Sequence, residues 1–168
     1  QAYALYCLDP GSTEQGRLCD TAGVALFSVE TRTGKARRWL MQVDGEGGGN
    51  VYMKPELLRT QGQQLLHLPV SVPGTGDFNA SSLFRREGSR WIEVDNTSWE
   101  KDLAAKLPEG LAVWKGIWPD WKRMHASTGM YRAKDANCCA TGGRAEIELA
   151  LHGNRIDLVS FEVHPQKH

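Results

Sequence analysis

Alternation of apolar and polar side chains near the C-terminal end is the feature that most constrains the fold. Residues 144–151 place an apolar side chain at every second position, and residues 155–163 resume an alternation after a turn at 152–154. A period of two is typical of β-strands, because successive side chains point to opposite faces. The pattern therefore predicts an antiparallel hairpin. In its second strand we expect the more apolar face to carry Asp157, Val159, Phe161 and Val163.

Two earlier segments have the same organisation. Residues 23–43 read as two strands around the turn Thr33-Gly34-Lys35, and residues 82–94 read as two strands around Glu87-Gly88-Ser89. A short helix is expected from Lys54, with Pro55 in its first turn and Gly62 beyond its end. Together these segments predict an α+β fold dominated by antiparallel hairpins, formed as a single globular domain over residues 1–168.

One longer helix is predicted over residues 98–107 and is expected to pack on the sheet. Thr97-Ser98-Trp99-Glu100 matches a capping box, in which the threonine hydroxyl and the glutamate side chain each bond a free backbone amide at the helix start. Trp99, Leu103 and Leu107 fall four residues apart and form an apolar stripe. Pro108 ends the helix.

Charge and hydropathy exclude some classes of partner. The chain has 20 basic and 20 acidic residues and no long block of like charge. Nucleic-acid grooves and polybasic membrane patches need a concentrated positive field, so we expect neither a nucleic-acid partner nor membrane insertion. The apolar runs are too short to span a bilayer. Oligomeric state is not indicated by the sequence.

Four cysteines indicate a disulfide framework, which favours an exported protein in the periplasm or the surrounding medium. They are Cys7, Cys19, Cys138 and Cys139. A bond between two neighbours needs Cα atoms about 3.8 Å apart, closer than the usual disulfide separation. We therefore expect Cys138 and Cys139 to pair with the two N-terminal cysteines, or Cys7 to pair with Cys19 and leave two thiols.

The residues around the adjacent cysteines form a first candidate ligand site. Two interpretations stand for the glycines: consecutive backbone amides that bind an anion with help from the arginine, or simply a tight turn into the next strand. The second is the more common use of paired glycines. The candidate ligand-binding residues here are Asp135, Asn137, Thr141, Gly142, Gly143 and Arg144.

Three tryptophans within eight residues form a second candidate site. Trp114, Trp118 and Trp121, with Asp120 between the last two, could present a stacking surface for a sugar or a peptide. The alternative is that the rings fill the core, since tryptophan is highly buried on average.

No sequence motif supports catalysis or cofactor binding. The chain lacks G-x-S-x-G, H-E-x-x-H, a P-loop and metal-ligand spacing of cysteine and histidine, so we expect no metal and no cofactor. The leading hypothesis is a non-catalytic binding module of the bacterial envelope, with a protein or a cell-wall glycan as partner. One alternative is a thiol-dependent or hydrolytic enzyme that uses Cys138 or Cys139. Another is a structural or assembly subunit.

Overall fold

The structure is a computed structural model that describes residues 2–10, 19–30, 32–44, 51–71 and 81–165. Its chain divides into two compact units, one of residues 1–56 and 68–74, the other of residues 57–67 and 75–168. The expectation of one domain over the whole chain stays a prediction.

The described elements are twelve strands and one helix. In chain order they are β1 (Ala2–Pro10), β2 (Cys19–Val29), β3 (Ala36–Asp44), β4 (Val51–Tyr52), β5 (Glu56–Thr60), β6 (Gln63–Leu68), β7 (Val70–Ser71), β8 (Ser82–Glu87), β9 (Arg90–Val94), α1 (Ser98–Ala105), β10 (His125–Gly129), β11 (Arg144–His152) and β12 (Arg155–His164). The α+β class with hairpins in the majority is therefore confirmed. The sequence also predicts loops over residues 44–50 and 73–77; Asp44 ends β3, and the rest of these two segments lies outside the described residues.

In the first unit, β1, β2 and β3 form an antiparallel sheet in that order. The predicted hairpin is confirmed, and Gly34 takes a positive φ of 68° in its turn. A second small sheet pairs β4 with β7. Pro69 separates β6 from β7, because proline has no amide hydrogen to give to a ladder. Val24, Leu26 and Val70 are among the buried side chains of this unit.

The second unit contains a different hairpin from the one expected near residue 60. The short helix predicted from Lys54 is wrong, since residues 56–60 form β5 and pair with β6. Gln61 and Gly62 both adopt positive φ, 47° and 74°, as the two central residues of a tight hairpin turn do. Gly62 is thus a turn residue and not the end of a helix. The sheet continues through β8 and β9, the second predicted hairpin.

Helix α1 is present where it was predicted, although it ends at Ala105, two residues earlier than expected. The capping box is wrong in detail. Thr97 occupies the cap position, but its side chain makes no cap hydrogen bond and its hydroxyl lies 3.2 Å from a carboxylate oxygen of Asp95. Ser98 instead secures the helix start, because its Oγ donates to the Ile156 carbonyl at 2.6 Å and accepts from the Ile156 amide at 3.0 Å. The helix packs against β12, as predicted.

Strands β10, β11 and β12 form the third antiparallel sheet of three or more strands. Along β11 the predicted face is confirmed: Ala145, Ile147, Leu149 and Leu151 are buried. In β12 the predicted face is correct at Phe161 and Val163, which lie opposite buried residues of β11, and wrong at Asp157 and Val159. The pairing register shifts between these two parts of the strand. Ser160 pairs with Glu148 and Leu158 pairs with Leu149, so Val159 is an extra residue without a partner position on β11. This bulge leaves Val159 exposed.

The core of the second unit joins its helix to its sheets. Trp99 and Leu103 from α1, Leu83 from β8, and Ile147 and Ile156 from the last sheet belong to one buried cluster. The Trp99 indole nitrogen donates to the Asn96 carbonyl at 2.8 Å, which satisfies its polar atom inside the core. This packing fixes the positions of the segments that connect α1 to β10 and β10 to β11.

Candidate functional site

The two candidate sites are neighbouring segments of the second unit. We call residues 111–121, between α1 and β10, the tryptophan segment, and residues 132–141, between β10 and β11, the cysteine loop. Tyr131, the residue just before the cysteine loop, connects them. Its amide and carbonyl pair with the carbonyl and amide of Ala112, at 2.8 and 2.9 Å.

Two glycines at the base of the cysteine loop have a structural role. Gly142 donates its amide hydrogen to the Met130 carbonyl at 2.8 Å, and the Met130 amide donates to Gly143 at 2.9 Å. A Cβ on Gly142 would lie 2.6 Å from Met130 O and from Leu111 Cδ2, and a Cβ on Gly143 would overlap the His164 carbonyl oxygen. Gly143 also has a φ of 106°. The glycines are required for close packing of backbone on backbone.

The Asp135 side chain accepts hydrogen bonds from both ends of the cysteine loop. One of its carboxylate oxygens accepts from the Arg132 amide at 2.7 Å and the Thr141 amide at 2.8 Å, while the other accepts from the Thr141 hydroxyl at 2.6 Å. These hydrogen bonds, first the one from Arg132 and then those from Thr141, lower the pKa of the Asp135 carboxyl. Asp135 is a clamp between the two ends of the loop.

The anion-nest interpretation fails for the amides of Thr141 and Gly142. Their hydrogens are already donated to Asp135 and Met130, so they do not converge on an empty site. Arg144 is also engaged: its Nε donates to Glu146 at 2.9 Å, and its terminal nitrogen bonds the Ser127 hydroxyl. Of the two interpretations, the tight turn is the one that the backbone geometry supports.

Cys138 and Cys139 are joined to each other by a disulfide bond, with their Cα atoms 3.8 Å apart. The expected pairing of either residue with Cys7 or Cys19 is therefore wrong, and so is the alternative that leaves Cys138 and Cys139 as two thiols. A turn allows the bond between neighbours, because the Cys139 amide donates to the Ala136 carbonyl at 2.9 Å and folds the chain back. Both cysteines are exposed at the tip of the loop. The side chains of Cys7 and Cys19 lie outside the described part of the structure.

Trp114 stacks on Tyr131. Their ring centroids are 4.8 Å apart with an interplanar angle of 14°, and Tyr131 is buried while Trp114 keeps 38 % of its surface exposed. The Tyr131 hydroxyl donates to the Asn137 carbonyl at 3.3 Å. One tyrosine thus supports an exposed indole with its ring and the cysteine loop with its hydroxyl. Asn137 contributes its backbone to this arrangement, which the sequence did not indicate.

The other two tryptophans of the segment have opposite environments. Trp118 is 46 % exposed, whereas Trp121 is 2 % exposed and belongs to the core, with its ring edge against His67. Asp120 accepts hydrogen bonds from the amides of Lys122 and Arg123 at 3.0 and 3.1 Å, and so caps the turn before β10. The structure therefore leaves Trp114 and Trp118 available to a ligand and assigns Trp121 and Asp120 to the fold.

Sequence reasoning missed two features. Tyr131 was not singled out, although an aromatic residue just before the cysteine loop was a usable signal. The second is a row of polar residues on β10 and β11, where His125 Nε2 lies 2.9 Å from Glu146 and Arg144 bonds the same carboxylate. The hydrogen bond from Arg144, with a smaller contribution from His125, lowers the Glu146 pKa. His152 Nδ1 lies 3.3 Å from Asp157, so both of these histidines lie beside a carboxylate.

The described residues contain neither a metal-binding cluster nor a membrane-spanning helix. No cluster of three or more histidine, cysteine, aspartate or glutamate side chains could hold a metal ion in that part of the chain. No helix there is both long and apolar enough to cross a membrane. Comparison with known proteins also gave no match: no protein-family model, no curated protein and no solved structure is significantly similar to this chain.

Proposed function

We propose that the chain is a non-catalytic binding module for a cell-envelope glycan, and that it acts outside the cytoplasm, in the periplasm or after secretion. The observation that carries the proposal is the exposed Trp114 ring held flat on buried Tyr131. Sugar rings present apolar C–H faces that stack on aromatic rings, and a ring already held in place loses little freedom on binding.

The size of the exposed aromatic surface favours a sugar over a protein. Given roughly 150–250 Å² for a whole aromatic side chain, Trp114 and Trp118 each expose on the order of 100 Å². That area suits one or two sugar rings, whereas a stable protein interface buries about 800 Å² on each partner. Asn137, whose carbonyl accepts from the hydroxyl of the tyrosine beneath Trp114, supplies polar groups near the ring for the sugar hydroxyls.

The cysteine loop supports both parts of the proposal. A disulfide between exposed cysteines persists in an oxidising compartment, which favours an exported protein. The Asp135 clamp and the Tyr131–Asn137 hydrogen bond hold the loop at a fixed position relative to Trp114. The loop can then form one wall beside the aromatic ring, with polarisable sulfur atoms at its tip.

The test is a titration of the purified protein with soluble oligomers of N-acetylhexosamine, the sugar class of bacterial cell-wall glycan, followed by tryptophan fluorescence and calorimetry. We expect Trp114→Ala to weaken binding about tenfold or more, as loss of an aromatic anchor does, and Trp114→Tyr to retain most of it. The matched control is Trp91→Ala, since Trp91 is a partly exposed indole on β9 that contacts Arg86.

Either of two results would overturn the glycan proposal. One is the absence of saturable binding to any oligomer tested. The other is equal affinity of Trp114→Ala and Trp91→Ala, which would show that the signal comes from elsewhere. Binding to a protein that depends on Trp114, with no glycan binding, would replace the glycan by a protein partner.

A second candidate function follows from the exposed disulfide. Cys138 and Cys139 are accessible to an external thiol, so the pair could exchange two electrons with a dithiol partner: the pair becomes two thiols as the partner becomes a disulfide. Equilibration with glutathione mixtures tests it. A pair that stays oxidised at every glutathione ratio used would remove this candidate. The interpretation as a structural subunit stays a prediction.

A further inference from the structure

A groove separates helix α1 from the tryptophan segment on the side of that segment away from Tyr131. Its volume is about 240 Å³. Alternate residues of the segment point to different sides: Val113 and Ile117 line the groove, while Trp114 between them stacks on Tyr131. Leu103 and Ala104 from the helix, with Leu107 just beyond its end, complete an apolar floor. The groove is thus a different surface from the proposed glycan site.

Two opposite charges border this apolar floor. Glu100 lines it from the helix and Lys115 lines it from the tryptophan segment. Within the described part of the chain, neither side chain makes a hydrogen bond or an ion pair with another residue. Glu100 is exposed as a residue, yet the crowding of its carboxyl by protein atoms, together with the charge of Asp95, raises its pKa. A cation beside Glu100 would relieve both effects.

We propose that this groove binds a small zwitterion with an apolar body, of which a free hydrophobic α-amino acid is the simplest case. Glu100 would accept hydrogen bonds from the ammonium group, Lys115 would donate to the carboxylate, and the body would lie on Leu103, Leu107 and Ile117. Charge-assisted hydrogen bonds of this kind are stronger than neutral ones. A simple amine would leave Lys115 unpaired and a simple acid would leave Glu100 unpaired.

The volume of the groove limits the ligand. About 240 Å³ corresponds to roughly eight water molecules at about 30 Å³ each. A leucine-sized molecule fits this space, whereas pockets for drug-sized ligands measure about 300–1,000 Å³. We expect weak binding, because the groove is small and open on one side.

The test is a two-dimensional amide NMR titration of the full chain with three probes of one shape: leucine, isoamylamine, which lacks the carboxylate, and 4-methylpentanoate, which lacks the amine. We expect leucine to shift the amide signals of residues 100–107 and 113–117 in a saturable way. The other two should bind about tenfold more weakly, because each loses one charge-assisted hydrogen bond.

Substitutions provide the second arm. Glu100→Gln and Lys115→Gln should each weaken leucine binding about tenfold, whereas Lys101→Gln, one residue from Glu100 but outside the groove, should not. Equal binding of the three probes, or equal affinity of Glu100→Gln and Lys101→Gln, would overturn the proposal, as would the absence of saturable shifts. Because Trp114 is not part of the groove, Trp114→Ala should leave leucine binding intact even where glycan binding fails.

Discussion

Substitution of three glycines by alanine separates two costs of adding a side chain, backbone strain and steric clash. Two of the glycines, Gly142 and Gly143, lie at the base of the cysteine loop. Gly153, in the turn between β11 and β12, has a φ of 62° and nothing within 4 Å of an added Cβ, so alanine there adds backbone strain alone. Gly142 has no positive φ, but its Cβ would lie 2.6 Å from Met130 O, so alanine there adds a clash alone. Gly143 combines a φ of 106° with an overlap of the His164 carbonyl.

The magnitudes follow from these geometries. Left-handed backbone costs a residue with a Cβ about 1–2 kcal/mol, so Gly153→Ala should lower the free energy of unfolding by about that much. Overpacking costs about 1–3 kcal/mol, which is the expectation for Gly142→Ala. For Gly143→Ala the two costs act together, and we expect about 3–5 kcal/mol. The order of stability should be wild type, then the two single-cost variants, then Gly143→Ala.

The assay is urea-induced unfolding followed by far-ultraviolet circular dichroism and tryptophan fluorescence, with the transition midpoint and slope fitted for each variant. The slope has to stay constant for the comparison to report stability. A Gly143→Ala midpoint equal to that of Gly153→Ala would refute the reasoning, since the clash would then cost nothing. If Gly142→Ala keeps wild-type stability but loses glycan binding, Gly142 would be a ligand-binding residue and not only a packing residue.

Three further predictions concern the same unit. Closure of the cysteine loop should be complete above the ordinary aspartate pKa and should be lost as the pH falls through the lowered pKa of Asp135, because protonation weakens the carboxylate as a hydrogen-bond acceptor. Hydrogen exchange at the Thr141 amide measures this closure. Asp135→Asn should show no such pH dependence. Trp121→Ala should destabilise the fold by about 3–5 kcal/mol in thermal or urea unfolding, because its ring is buried, whereas Trp118→Ala should change stability by less than about 1 kcal/mol. Ser98→Ala should cost about 1–2 kcal/mol in the same unfolding assay, because it removes the two hydrogen bonds between the Ser98 hydroxyl and the Ile156 backbone, while the Ile156 amide keeps the Asp95 carbonyl as an acceptor at 3.1 Å.

The hairpins were predictable because their signal is local. Alternation along residues 144–151 reports directly which side chains of β11 are buried, and the structure confirms it. The bulge at Val159 was not predictable from alternation, because an extra residue shifts the register without changing the composition of the strand. The strand at residues 56–60 was mistaken for a helix because Pro55 and Gly62 fit the ends of either element.

The candidate site was predictable as a region and not as a set of contacts. The density of tryptophans and the adjacent cysteines indicated the two segments as candidate sites. Only the fold shows that Trp114 stacks on Tyr131 while Trp121 is buried in the core. The cysteine pairing was missed because the usual Cα separation was treated as a requirement. The turn at residues 136–139 brings the sulfur atoms of neighbours together, and the sequence does not specify that turn.

Tyr131 contacts both the tryptophan segment and the cysteine loop. Its backbone pairs with Ala112, its ring lies under Trp114, and its hydroxyl bonds the cysteine loop, so one buried residue fixes both segments. Ring stacking and the hydroxyl bond are separable, because phenylalanine keeps the first and loses the second. If the loop forms one wall of a glycan site, the hydroxyl matters to binding only through the position of Asn137 and its neighbours. The ring matters through the orientation of Trp114 itself, and its removal should therefore cost more affinity than removal of the hydroxyl.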